Sequence, residues 1–297
     1  MHVYREKNFS PASMALITKA VGVIHKYEKM GIKITLRQLY YQLVAANEIP
    51  NKDTEYKRIG GLISDARYAG LIGWDTIEDR GRVPKVPLEF TGIPDLIETY
   101  SMAYRLDRWE GQASYVELFV EKDALASVLA PVARKWHIVF STNKGYASST
   151  ALYDAAQRMN AASKRGLSVT VLYFGDHDPS GLDMIRDMSE RLNEFNLYHS
   201  GEDFEVVPLA LSWEQIQRLK PPPNPAKVTD SRAEAYIQQY GRESWELDAL
   251  EPRYMQSLAS NAIETLVDLE KMDAVIERED KDKALMLNWA KQIEGGF

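Results

Sequence analysis

Residues 115–195 alternate short, unbroken apolar runs with stretches of helical period, and this constrains the fold more than any other feature. "YVELFV" (115–120), "HIVFST" (137–142) and "SVTVLYF" (168–174) have strand length. Their lack of polar alternation is expected where both faces of a sheet are covered. Between and after them, "DALASVLAPVARKW" with a kink expected at Pro131, "SSTALYDAAQRMNAASKRG" closed by Gly166, and "GLDMIRDMSERLNEF" carry helical spacing. Strands separated by helices pair in parallel through right-handed crossovers, which predicts a wound parallel sheet. "FEVVPLAL" offers a further strand, and the chain from Asp230 onward is expected to be mostly helical.

The first half has a different grammar. "SPASMALITKAVGVIHKYEKMG" has an N-cap at Ser10, proline at the first helical position and Gly31 as a stop. "TLRQLYYQLVAAN" follows with Thr35 as N-cap, then "TEYKRIGGLISDARYAGLIG", weakened at Gly60 and Gly61. "WDTIEDRGRVPK" reads as a short hairpin or wing. Three helices and a ribbon fit a winged-helix domain, or equally an ordinary small helical domain. The proline-rich "RVPKVPLEFTGIP" is the expected linker, "DLIETYSMAYRLDRW" a connecting helix, and "KPPPNPAK" a second break. The expected organisation is 1–90 helical or winged-helix, 91–114 linker and connecting helix, and 115–297 sheet domain with C-terminal helices.

The chain has 297 residues and no cysteine, which excludes disulfides and thiolate metal sites. No apolar stretch approaches a membrane span and no signal peptide is evident, so a cytoplasmic, intracellular protein is expected. The formal net charge is -7, which argues against non-specific coating of nucleic acid. Charge is nonetheless uneven: the stretch from Lys33 to Lys85 is slightly basic, and that from Glu264 to Glu294 is acidic. Solvated helix faces account for such unevenness as well.

Ligands of wound sheets bind beyond the carboxyl ends of the strands. Glu121 stands at one such end, and Asp176 and Asp178 of "LYFGDHDPSG" at another. Three carboxylates gathered there repel each other unless a cation joins them, and an all-oxygen set suits Mg²⁺. The competing reading makes the aspartates turn-formers and helix caps before Pro-Ser-Gly. His177, between them, is not expected to be a ligand.

"LFVEKDAL" and "FGDHDPSG", separated by a βαβαβ run, together resemble a Toprim domain. The aspartate motif with its Pro-x-Gly is most similar to the A subunit of topoisomerase VI and its relative, the meiotic double-strand-break protein. "NKGYASSTALYD" resembles that family's Lys-Gly segment, "WELDALEP" its late Glu-x-x-Ala-Leu segment, and "TLRQLYYQL" its Arg-x-x-Tyr-Tyr motif. The likeness spans roughly residues 30 to 260. It implies an α/β plus α fold: an N-terminal winged-helix domain, a Toprim-type parallel-sheet domain and a helical C-terminal extension.

On a helix, Arg37 and Tyr41 share a face and Tyr40 lies close by. A phenol is a poor nucleophile unless activated, and a neighbouring guanidinium favours the phenolate and a phosphate's charge. Packing tyrosines and a solvated arginine explain the same residues. The resemblance implies that Tyr41 is the nucleophile, with Tyr40 as competitor. It also implies Mg²⁺ on Glu121, Asp176 and Asp178, transesterification leaving a 5′-phosphotyrosyl link in double-stranded DNA, and a homodimer in which one subunit's tyrosine serves the other's metal. Lys57, Arg58, Arg67 and Lys144 are candidate phosphate contacts.

The chain is short for the family, and nothing in it resembles an ATPase. A full strand-passage cycle therefore requires a separate B-type subunit, or else the protein acts as a minimal A-like enzyme alone. Two rival readings are a Toprim nuclease using metal-bound water, and a catalytically silent DNA-binding protein.

Overall fold

The computed structural model describes residues 2–78, 87–143, 145–195, 204–226 and 232–294. Helix α1 (Pro11–Glu28) starts as expected: the Ser10 side chain accepts from the Ser13 N–H, and proline opens the helix. Strand β1 (Ile34–Thr35) leads into α2 (Leu36–Ala45). There Thr35 and Gln38 form a reciprocal capping box, satisfying two backbone donors that would otherwise be orphaned. Helix α3 (Asp53–Tyr68) runs straight through the glycine pair. A Cβ on Gly60 would come within 3.3 Å of Leu36 Cδ2, so the glycine keeps α3 close to the start of α2. Of the expected ribbon at 74–85, β2 (Ile77–Glu78) pairs in parallel with β1, not with a hairpin neighbour among the described residues. Residues 79–86 lie outside the described residues.

Helix α4 (Ile93–Ala103) precedes the sheet. Strands β3 (Ser114–Val120), β4 (Val139–Thr142), β5 (Ser168–Phe174) and β6 (Phe204–Ala210) are all parallel, in the order β4-β3-β5-β6. The helices α5 (Ala126–Trp136), α6 (Ser149–Ser163) and α7 (Pro179–Glu194) make the crossovers. Pro131 lies within α5, which continues past it. The wound α/β sheet expected from the apolar runs is therefore present. Beyond it come α8 (Trp213–Leu219), β7 (Asn224–Pro225), α9 (Ala233–Tyr240), β8 (Glu243–Ser244), α10 (Pro252–Glu264) and α11 (Leu269–Glu294). The proline-rich break at 220–227 is more than a connector, because β7 pairs antiparallel with β8. Among the described residues no helix is long and apolar enough to cross a membrane.

Alternation along β3 and β5 divides the core, since successive side chains point to opposite faces. Leu118, Val120, Leu172 and Phe174 join a cluster reaching α5, α10 and the buried faces of α1 to α3. Phe119, Val169, Val171 and Tyr173 pack with α6 and α7 on the other side. Each fully buried apolar side chain contributes about 1.5–3 kcal/mol. Glu117, buried within β3, is compensated by two 2.9 Å contacts from Arg158 and a 2.7 Å bond from Tyr115.

Strand β3 passes to β4 on one side, while β5 lies on its other side. The carboxyl ends of β3 and β5 therefore flank the point where the winding reverses, which is where open α/β sheets leave a crevice.

Candidate functional site

That crevice opens into a cleft of about 830 Å³. Its floor is Glu121, directly after β3, with Asp176 and Asp178 after β5. One wall is α2, which contributes Arg37, Tyr40 and Tyr41. Beside α2 the lining continues with Asn224 of β7 and Glu246, just after β8. The residues singled out as nucleophile and metal ligands thus line one cleft of one chain.

The carboxylates differ in environment. Glu121 and Asp176 are buried, and Glu121 Oε2 accepts from the Asp176 N–H at 2.7 Å. Asp176 Oδ1 accepts from the Leu247 N–H at 2.9 Å, and its Oδ2 pairs with Lys122 Nζ at 2.7 Å. Asp178 caps α7, accepting from the Gly181 N–H at 2.7 Å. The cap reading of Asp178 thus holds, and Asp178 still lines the cleft. Gly181 has no alternative here, because a Cβ would sit 2.3 Å from the Asp176 carbonyl oxygen. Burial raises the Glu121 and Asp176 carboxyl pKa values, while Lys122 opposes the rise at both.

Lys122 is the hub that sequence reasoning missed. Its ammonium touches Asp176 at 2.7 Å, Glu246 at 2.8 Å and Asp248 at 3.1 Å. Burial works against the charge, yet these carboxylates hold the lysine pKa above its ordinary value. Glu246 in turn takes a fork of hydrogen bonds from Arg37, with Nε at 3.0 Å. Burial would raise the Glu246 pKa, but Lys122 and Arg37 hold it below the usual range. The network runs from α2 through Arg37, Glu246 and Lys122 to Asp176. The "WELDALEP" stretch held the signal: its acidic residues flank Leu247, whose N–H binds Asp176.

Tyr41 is buried, with its hydroxyl accepting from Asn224 Nδ2 at 2.9 Å. The Arg37 guanidinium lies 5.9 Å from the ring centre. Burial pushes the phenol up to about 12, although Asn224 and Arg37 pull it down. The Tyr40 hydroxyl is taken up by Asn51 Oδ1 at 3.0 Å and by the Lys52 backbone, whose N–H donates to it at 2.8 Å. Its ring packs edge-on against Tyr41 and Tyr56.

Of the candidate phosphate contacts, Lys57, Arg58 and Arg67 do not line this cleft. Lys57 and Arg58 are exposed on α3, and Arg58 pairs with Glu55 at 2.6 Å. Arg67, near the end of α3, donates to the Ile77 carbonyl at 2.9 Å and holds the approach to β2. Lys144 lies outside the described residues. His177 points away from the cleft lining, with Nδ1 2.9 Å from the Tyr236 hydroxyl among Trp213, Tyr240 and Trp245.

The acidic donor set of the cleft is all oxygen, the ligand chemistry that hard divalent cations take. Six carboxylates (Asp53, Glu121, Asp123, Asp176, Asp178 and Glu246) line the cleft against two cations, Arg37 and Lys122, among the described residues. Glu121 Oε1 and Asp178 Oδ2 have no hydrogen-bond donor among those residues. Asp248 Oδ1 is buried with no partner. As the side chains stand, no three acidic or histidine groups among the described residues converge at metal-binding distance. Lys122 supplies the positive charge at Asp176 instead. No family model matches the chain, no curated protein matches its sequence, and no solved structure matches its fold.

Proposed function

We propose that the protein is a DNA-cleaving transesterase of the topoisomerase VI A-subunit type, with Tyr41 as nucleophile. One observation carries the reading: Tyr41 and Arg37 of α2 share a cleft with Glu121, Asp176 and Asp178 at the ends of β3 and β5. Tyr41 Oη attacks a backbone phosphorus, the P–O3′ bond breaks, the phenol gives up its proton and the departing 3′-oxygen gains one. Asn224 orients the hydroxyl and favours its ionised form by donating to it. Arg37 is held beside the ring by Glu246 and places a fixed positive charge where the phosphate oxygens arrive. Glu121, Asp176 and Asp178 are the residues that would hold Mg²⁺, which would supply Lewis-acid stabilisation of phosphate and leaving-group charge. The excess of carboxylates means that DNA phosphate meets repulsion unless cations enter first.

The resemblance implies that tyrosine and metal come from different subunits. In this chain both line one cleft, so each chain carries a complete set and a pair of chains would carry two. Strand passage, a B-type ATPase partner and an intracellular, DNA-associated setting belong to the same proposal.

A second reading has its own support. The Tyr41 phenol is pushed up to about 12 and engaged by Asn224, which favours a Toprim nuclease in which water attacks. Covalent trapping separates them: supercoiled plasmid, Mg²⁺, a detergent quench, and wild type beside Tyr41→Phe and Asp176→Asn. Protein-linked DNA from wild type alone supports the transesterase. Free ends that persist in Tyr41→Phe establish the nuclease. Binding without cutting by any form points to the silent DNA-binding protein.

A further inference from the structure

Tyr40 and Tyr41 are neighbours on α2, and their hydroxyls are the two ends of one chain of hydrogen bonds that leaves the helix and returns to it. The Lys52 N–H donates to Tyr40 Oη at 2.8 Å. The single proton of that phenol is left for Asn51 Oδ1 at 3.0 Å, with the Lys52 carbonyl the longer alternative at 3.2 Å. Asn51 Nδ2 then donates to the Pro223 carbonyl at 2.6 Å and to Asn224 Oδ1 at 2.9 Å. Asn224 Nδ2 closes the circuit, donating to Tyr41 Oη at 2.9 Å and to Glu246 Oε1 at 3.3 Å.

An amide side chain can turn over, exchanging its carbonyl and its NH₂, and the two orientations offer Tyr41 opposite partners. The contacts along this chain remove the choice. A carbonyl and a carboxylate only accept, so Pro223 draws the NH₂ of Asn51 and Glu246 draws that of Asn224. Turned over, Asn51 would set its oxygen against the Pro223 carbonyl oxygen, and Asn224 would meet Asn51 NH₂ to NH₂. The backbone is held as well. Asn224 lies between Pro223 and Pro225, a setting that restricts it to extended conformations, and β7 pairs with β8 there.

We infer that Asn51, anchored by Tyr40, is a positioning residue for Tyr41: it holds the Asn224 amide with its NH₂, not its carbonyl, against the Tyr41 hydroxyl. The paired tyrosines thus have different tasks. Tyr41 Oη accepts from Asn224 and so directs its own proton elsewhere, whereas the Tyr40 hydroxyl is spent on the amide chain. An NH₂ donates more strongly to a phenolate than to a phenol, and a carbonyl in its place would hold the neutral form. The hydrogen bonds of Asn51 go to Tyr40, Pro223 and Asn224, so it reaches Tyr41 through Asn224. The amide orientation stands on these contacts alone, while its consequence for DNA cleavage rests on the transesterase reading.

A double-mutant cycle on the full chain tests it. A fluorinated tyrosine placed at position 41 ionises at milder pH than tyrosine, and fluorine NMR reads its titration. The charged groups facing the phenol are Arg37, Lys122 and Glu246, with Asp248 behind Lys122, and every variant keeps them. Asn51→Leu keeps the shape and removes the donor. It is expected to raise the titration by about one pH unit and, on the transesterase reading, to slow adduct formation about 10-fold. In an Asn224→Ala background it is expected to change neither, because Asn51 acts through that amide; a general packing role would act with or without it. Tyr40→Phe removes one oxygen and is expected to give a smaller rise that Asn224→Ala likewise abolishes, so it decides the matter if Asn51→Leu misfolds. An unshifted titration in the folded variants, or a shift that persists beside Asn224→Ala, overturns the inference. A wild type that forms no adduct while the titration shifts as expected refutes the transesterase reading and supports the positioning role.

Discussion

Lys122→Met removes a charge from the centre of the cleft while keeping most of the side-chain volume. The ammonium contacts three carboxylates between 2.7 and 3.1 Å, and Asp176 and Asp248 are buried. Without it, Asp176 keeps only the Leu247 N–H on Oδ1, and Asp248 keeps only the more distant charge of Arg37 at 3.9 Å. Removing one partner of a buried ion pair costs about 3–5 kcal/mol, because the remaining charge stays desolvated. For a chain of this size that is a fall of about 5–8 °C in Tm. Asp176 escapes the penalty only by taking up a proton. A carboxyl whose folded pKa rises above its unfolded value loses stability as pH climbs between the two. In wild type burial already raises the Asp176 carboxyl to about 8, so a further rise in the variant opens the gap above about pH 8. Mg²⁺ supplies the same positive charge, and saturation a hundredfold above its Kd returns about 2.7 kcal/mol. Thermal denaturation from about pH 6 to 10, with and without millimolar Mg²⁺, reads all three effects. A variant as stable as wild type, or Mg²⁺ that stabilises wild type more than the variant, would refute the assignment of Lys122 as the cation standing in the carboxylate nest.

Three further outcomes follow from particular contacts. Asn224→Ala removes the donor on Tyr41 Oη; on the transesterase reading it slows adduct formation about 10–100-fold while changing stability by only about 1 kcal/mol, read by single-turnover trapping beside urea denaturation. Gly181→Ala drives a methyl into the Asp176 carbonyl, so a loss of about 1–3 kcal/mol is expected, with weaker Mg²⁺ stabilisation than wild type in thermal melts. The Glu279 carboxyl is held at about 2: burial would raise it, but hydrogen bonds from Arg108, Lys283 and the Leu106 N–H prevail. Its folded value lies below its unfolded one, so its stabilisation is complete above about pH 5 and lost as pH falls toward 2; Glu279→Gln is expected to flatten that part of the stability–pH curve.

The sheet was legible because it obeys local rules. Apolar runs without alternation belong to doubly covered strands, and the glycines at 31 and 166 take positive φ where the helices stop. Glu121 and Asp176 were legible for the same reason: a strand's end is a local event, and the winding order alone brings two such ends together. Arg37 and Tyr41 could be placed on one helix face, but not opposite the acids, because that approach is made by residues far apart in the chain. Lys122 looks like any lysine after a strand until Glu246 and Asp248 arrive more than 120 positions later. Asn224 sits in a proline-rich stretch that reads as a linker, and only its pairing with β8 turns it toward Tyr41.

The same long-range closure explains why the tyrosine helix stays at the sheet. Helix α2 buries Leu39, Leu43 and Val44 in the apolar cluster it shares with the sheet, and Arg37 is its ionic tie to the residues beyond the strand ends. Its half-exposed Arg37 reaches Glu246, and an exposed ion pair alone contributes little, typically 0–1 kcal/mol. Glu246, however, also binds Lys122, whose other partners are buried. Moving α2 away therefore leaves Glu246 with Lys122 and Asn224 and loosens the cage around the ammonium. A cation that entered the carboxylate nest would compete with Lys122 for Asp176 and free the lysine to follow Glu246. Metal entry and the position of Tyr41 are thus coupled through one ammonium, and Lys122→Met, which cuts that link, should make Mg²⁺ affinity insensitive to Arg37→Ala.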